Sequence, residues 1–239
     1  MNLINVFFIL LIVIAIFEGI YRGFLHTASD LGGFFLAIIT SYLFYPVVSA
    51  AVKANDTIFK FLTYYTEGAE KIVNFEDASL LVSAITPEKL DAIIASSVSE
   101  SALTEPFSTL IRQNVLTQAF AADGLSTLGQ YFNMTIVCTV LNILSFAAIF
   151  ILARIVYTFV LGAINYTVQF PQLKQYDHAT GVLFGVTKGV LLCFLIVTIV
   201  PVIFLVVPVD RIAEYFTDSS IGMFFYNNNF FLHLISGTV

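Results

Sequence analysis

Four stretches of this chain are apolar for long enough to cross the hydrocarbon core of a bilayer, and nothing else in the sequence constrains its fold as strongly. A crossing takes about 20 residues at roughly 1.5 Å of rise each. The first stretch runs from about Leu3 to Tyr21 and the second from Leu31 to Ala51, with Pro46 near its far end. The third runs from Met134 to Ala153 and continues apolar past Arg154 to about Leu161. The fourth starts near Gly181 or Leu183 and ends at Val207, with Pro201 placed to kink it. Hydrocarbon offers no water to the peptide groups, so each span must satisfy its own backbone and is expected to be a helix rather than a strand. Charged residues make up only 11% of the chain, against roughly 25% in soluble domains. The expected fold class is an all-α integral membrane protein with four transmembrane helices.

The remaining sequence divides around those spans. A first transmembrane hairpin covers 1–51, an extramembrane insert 52–133, a second hairpin 134–207 and an amphipathic tail 208–239. The opening "MNLINVFFILLIVIAIFEG" lacks a basic start and a small-residue cleavage site, and Glu18 falls where cleavage would be expected. It reads as a retained span rather than a signal peptide. The insert carries five basic and ten acidic residues and holds three helical patterns. In "TPEKLDAIIASSV", Thr86 is placed to cap a helix whose first position is Pro87. "TEPFSTLIRQNVLTQAF" puts Phe107, Leu110, Ile111, Val115 and Phe120 roughly on one face. "DTIFKFLTYY" is a shorter third helix. These helices can pack together, cover the spans or lie in the headgroup layer. The tail, with Met223, Phe224, Phe225, Phe230, Phe231 and Leu232, is expected to be interfacial.

The formal charge of −6 argues against nucleic acid, which requires clustered Lys and Arg. Cys138 and Cys193 each sit in an apolar run and read as packing thiols, without spacing for a disulfide framework or a metal site. No cofactor is expected. An even number of spans places both termini on one side. The short connections on the other side carry Arg22, Arg154, Lys174 and Lys188 against Glu18, Asp30 and Asp177. The excess of basic residues there predicts a cytoplasmic location for these connections, with the acidic insert and both termini outside.

Two features of the spans call for a reason. Gly181, Gly185 and Gly189 fall on one stripe of the fourth helix, although glycine weakens a helix by about 1 kcal/mol in water. Lipid tails solvate leucine as well as another helix does, so helices in a membrane associate through close backbone approach at small residues. The stripe therefore predicts a packing seam, against another part of the chain, another membrane protein or a second copy. Gly32 and Gly33 on the second span, and Gly19 and Gly23 around the first turn, are its expected counterparts, and Thr187 is placed to hydrogen-bond across the contact. The second feature is charge. Glu18 precedes Arg22 by four residues, the spacing of a pair on one helical face. Arg154 and Lys188 are placed to snorkel, with their heads among phosphates. Together with Asp30, Asp177 and His178 these residues gather at one membrane boundary, where they predict a polar cluster.

The residues "GIYRGFLHTASDLGGFFLA" and "YDHATGVLFGVTKGVLLCFL" resemble the colicin V production protein (CvpA) family. Arg22, Gly23 and Phe24 match its Arg-Gly-Phe turn, and Asp177, Gly181, Gly185 and Gly189 match its Asp-Arg, Gly, Gly, Gly run. His178 stands where the family commonly has arginine. The resemblance covers about 1–50 and 134–239. It implies a bacterial inner-membrane protein of four spans, linked to toxin production and envelope phenotypes, and carries no chemical activity with it.

Three functions are consistent with these residues. The first is a non-enzymatic scaffold or accessory factor, acting through helix packing and the insert. The second is an oligomeric small-solute or ion transporter or channel subunit. An enzyme is disfavoured, because His26, His178 and His233 are scattered and adjacent helix residues such as Asp177 and His178 point apart.

Overall fold

The computed structural model describes residues 2–167, 177–206 and 210–239. Among these the chain is all-helical, and the only extended pairing is an isolated bridge between Leu81 and Thr127. Four helices are long and apolar enough to cross a membrane: Leu3–Phe24, His26–Lys53, Leu128–Ala163 and Ala179–Val206. This is a multi-pass membrane protein.

The first two spans are continuous except at Gly23, whose φ of 75° and ψ of 178° break the helix. A side chain is strained at positive φ, so glycine is the residue that allows the turn. Thr27 returns its hydroxyl to the Gly23 carbonyl at 2.7 Å. The third helix begins at Leu128, six residues before the expected Met134. At its start the Gln130 side chain folds back, as in one half of a capping box, and accepts from the backbone N–H of Thr127 at 3.1 Å and of Ser126 at 2.9 Å. The fourth span is interrupted at residues 198 and 199, between helices Asp177–Val197 and Val200–Val206. Pro201 supplies no N–H, and its ring crowds the carbonyl four residues earlier, which accounts for the break.

The chain forms two compact units. One comprises Met1–Tyr45, Phe146–Val200 and Pro208–Phe231. Its interior joins Phe34, Ala37, Phe150 and Ala153 in one cluster and Tyr45, Phe146 and Phe231 in another. Here the tail helix Ser220–Asn227 packs on the first span, where Asn5 Oδ1 accepts from Ser219 Oγ at 2.6 Å and from Ile221 N at 3.0 Å. Asn229 donates to the Phe194 carbonyl at 2.9 Å, beside the interrupted turn.

The other unit comprises Pro46–Ser145, Pro201–Val207 and Leu232–Val239. Helices Asp56–Thr66, Pro87–Glu100 and Phe107–Leu116 occupy the three patterns read in the insert. Thr86 caps the second of these, accepting from Lys89 N, and Phe107, Leu110, Ile111, Val115 and Phe120 are all buried. All of these but Leu110 share a core with Leu90, Tyr131, Phe132 and Ile136, and the tail contributes Leu232 and Ile235 to it. The last residues are held by their carbonyls. Asn142 Nδ2 donates to Ser236 and Thr238, Asn114 Nδ2 to Gly237 and Lys53 Nζ to Val239, at 2.8–3.1 Å.

Candidate functional site

The glycine stripe meets the first span. A Cβ built on Gly181 would collide with the Gly19 carbonyl oxygen, and one built on Gly19 with that of Gly181. At Gly185 it would lie 2.5 Å from the Ala15 carbonyl oxygen, and at Gly189 3.1 Å from Ile12 Cα. Rising positions on one helix pair with falling positions on the other, so the two are antiparallel. Gly23 also borders this seam, with its carbonyl carbon 3.5 Å from the Cβ position of Gly181. Next to it the Phe24 and Phe184 rings pack with centroids 5.4 Å apart. The seam is thus used within the chain. Ala15, four residues before Gly19, is a partner that sequence reading missed, although small residues at that spacing are its visible signal.

The two glycines of the second span part company. At Gly33 a Cβ would meet Leu161 Cδ1 at 2.6 Å and Arg154 Nη1 at 3.3 Å, so the missing side chain makes room for the third span. Gly32 is exposed and has nothing within 4 Å of its Cβ position among the described residues, so it takes no part in the packing between these helices. It lies about 100° round the helix from Gly33, enough to turn away from every neighbour. Thr187 does not reach across the seam; its hydroxyl donates to its own helix, at the Leu183 carbonyl 2.9 Å away.

Beside the seam five charged side chains from all four spans form a single chain of ion pairs. Arg22 lies 3.1 Å from Glu18 Oε1. Glu18 Oε2 accepts from Lys188 Nζ at 2.8 Å. Lys188 also reaches Asp30 Oδ2, and Asp30 Oδ1 accepts from Arg154 Nη2. Charges alternate along this path, and each of the four carboxylate oxygens receives one cation. The inner members Lys188, Asp30 and Arg154 are only 15%, 16% and 20% exposed, whereas Glu18 is 30% and Arg22 56% exposed. Arg154 and Lys188 were expected to snorkel; their heads instead pair with carboxylates. Two cations seeking counter-charge find it nearer on neighbouring helices than at a headgroup, and in low dielectric that attraction is strong. Arg154 Nη1 is buried over Gly33 with no acceptor among the described residues.

The cluster contains no nucleophile–base pair, and its chemistry is that of fastening helices through paired charges. Asp177 and His178 open the helix Asp177–Val197, but their side chains lie outside the described residues. Among the described residues no group of three His, Cys, Asp or Glu side chains has an arrangement able to hold a metal. Cys138 and Cys193 are free and buried.

A family model described as colicin V production protein matches residues 90–228, more than half of the chain. The match takes in 90–133, which the resemblance read from the motifs had left out, together with the third and fourth spans. Searches of curated proteins and of solved structures find no match.

Proposed function

Because the chain belongs to the colicin V production protein family, we propose that it acts as a non-enzymatic scaffold or accessory factor in colicin V-type toxin production or export and in envelope homeostasis. In this reading it sits in the bacterial inner membrane, with both termini and the 52–133 insert outside the cytoplasm, and it engages other membrane proteins through the insert. The observation that supports a scaffold is the ion-pair chain: alternating charges from four spans pair with one another and fasten helices within one compact body, the unit of Met1–Tyr45, Phe146–Val200 and Pro208–Phe231. The glycine seam is consumed inside that body as well, leaving the insert as the surface for partners. Crosslinking in native membranes from residues of the insert, followed by identification of what is joined to it, tests the reading. Recurrent capture of envelope or export components is expected. A chain that crosslinks only to lipid and abundant bystanders would remove the proposal.

A second reading, as a subunit of an oligomeric solute or ion transporter, is favoured by one feature. Glu18 and Asp30 are carboxylates within apolar spans, the placement typical of proton or ion pathways. It requires that Glu18→Gln abolish flux in proteoliposomes while assembly persists. Equal flux with and without the protein eliminates it.

A further inference from the structure

The helix Asp56–Thr66 carries an apolar face that, among the described residues, nothing in its own unit covers. Its inward sector is Phe59, Leu62, Thr63 and Thr66. Its polar sector is Asp56, Thr57 and Lys60, all exposed. Between them lies a third sector made of Ile58, Phe61, Tyr64 and Tyr65, which are 45%, 59%, 70% and 51% exposed. At 100° per residue these four fall within about a third of the helix circumference. Their rings are already assembled, with Phe61 and Tyr65 centroids 4.5 Å apart and Tyr64 edge-on to Tyr65 at 5.5 Å.

The position of this helix in the chain identifies what covers the face. The second span ends at Lys53, and only Ala54 and Asn55 separate it from Asp56. Three chain steps reach at most about 11 Å, so the helix starts beside the point where the span leaves the hydrocarbon. Outward side chains on that last part of the span are still apolar, with Val47 64% and Val48 37% exposed. Asn55, extended at φ −91° and ψ 99°, ends the continuity of the span and caps the new helix by accepting from Ile58 N at 3.2 Å. Tyrosines with phenolic tips and apolar bodies suit the headgroup layer, and a helix with separate apolar and polar sectors lies along it.

We propose that Asp56–Thr66 is an interfacial helix whose Ile58–Phe61–Tyr64–Tyr65 edge is embedded in the lipid headgroup layer, continuing the lipid-facing surface of the second span. The inference stands apart from the scaffold and transporter readings. The chain has no tryptophan, so a single introduced indole reports one site. Phe61→Trp and Tyr64→Trp, each in the full chain, are reconstituted into phosphatidylcholine vesicles with and without lipid brominated near the headgroup end of its acyl chains. Val98→Trp, at a position 47% exposed on helix Pro87–Glu100, is the reference. Brominated lipid should quench the first two at least twofold and leave the reference within a few per cent. Absence of bromolipid quenching at both positions overturns the proposal, with iodide access meaning that the face is in water and iodide protection that protein covers it. Equal bromolipid quenching at the reference also overturns it, because the signal would then not belong to this helix.

Discussion

Replacing Gly185 with alanine should loosen the contact between the first and fourth spans, and the structure sets the size of the effect. The added methyl would sit 2.5 Å from the Ala15 carbonyl oxygen and 3.2 Å from both the Ala15 carbonyl carbon and Ile16 Cα. All three are backbone atoms, so no rotamer change can make way. The closest contact falls about 0.9 Å short of the 3.4 Å at which ordinary van der Waals contact begins. The helices must separate by something near that amount, and overpacking of this kind costs about 1–3 kcal/mol. In water alanine would recover about 1 kcal/mol through helix propensity. In hydrocarbon a separated span stays helical, so that offset is absent. The expected loss of about 1–3 kcal/mol corresponds to roughly 5- to 150-fold in the folding equilibrium. Titration with SDS in mixed micelles, followed by near-ultraviolet circular dichroism of the tyrosines and phenylalanines, measures it. Gly32→Ala is the control, since a Cβ there meets nothing within 4 Å. Lys188 lies between Gly185 and Gly189, and Glu18 between Ala15 and Gly19, so separation also strains the 2.8 Å pair between them. Gly185→Ala and Glu18→Gln should therefore be non-additive. If Gly185→Ala is as stable as Gly32→Ala, the close-packing argument is wrong.

The same titration ranks the ion pairs. Asp30→Asn leaves Lys188 and Arg154 short of counter-charge in a poorly exposed site and should cost about 3 kcal/mol. Glu18→Gln should cost less, because Lys188 keeps Asp30 and Arg22 is more than half exposed; the reverse order would contradict the network as drawn. Outside the spans, the Arg112 guanidinium beside Asp91 holds that carboxyl below its ordinary value of 3.8. Because the folded value is depressed, the pair's contribution is complete above the unfolded value and is lost as pH falls through the folded one. An NMR titration should place the Asp91 midpoint below 3.8, and Arg112→Gln should raise it; identical midpoints would refute the pairing.

Much of the molecule is legible one residue at a time. Apolar length alone specifies four helices, because a backbone in hydrocarbon has no other way to satisfy itself. Thr86 and Pro87 mark a helix start, and the spacing of Phe107, Ile111 and Val115 marks a buried face, since both are local consequences of helix geometry. The fourth-span glycines likewise announce a close approach. Their partners are legible only in part: of the expected counterparts, Gly19 and Gly23 line the seam and the second-span glycines do not. Gly32 and Gly33 are identical neighbours in sequence, yet one meets Leu161 and Arg154 while the other meets nothing. The difference is the rotation of the second span about its own axis.

Long-range polar pairing was hidden for the same reason. Span topology brings Asp30, Arg154 and Lys188 to one boundary, but Asp30 lies 124 residues from Arg154 and 158 from Lys188, and nothing in the intervening sequence records which of these side chains pair. Nor does the run "HLISGTV" disclose that Asn114, Asn142 and Lys53 take its carbonyls. The sequence by itself determined which solvent each segment lives in and which stripe of each helix must be covered, because solvation and helical period act locally. Tertiary structure alone decided which stripes cover one another and which charges cancel, because those depend on helix rotation and register, settled only when all the helices pack at once.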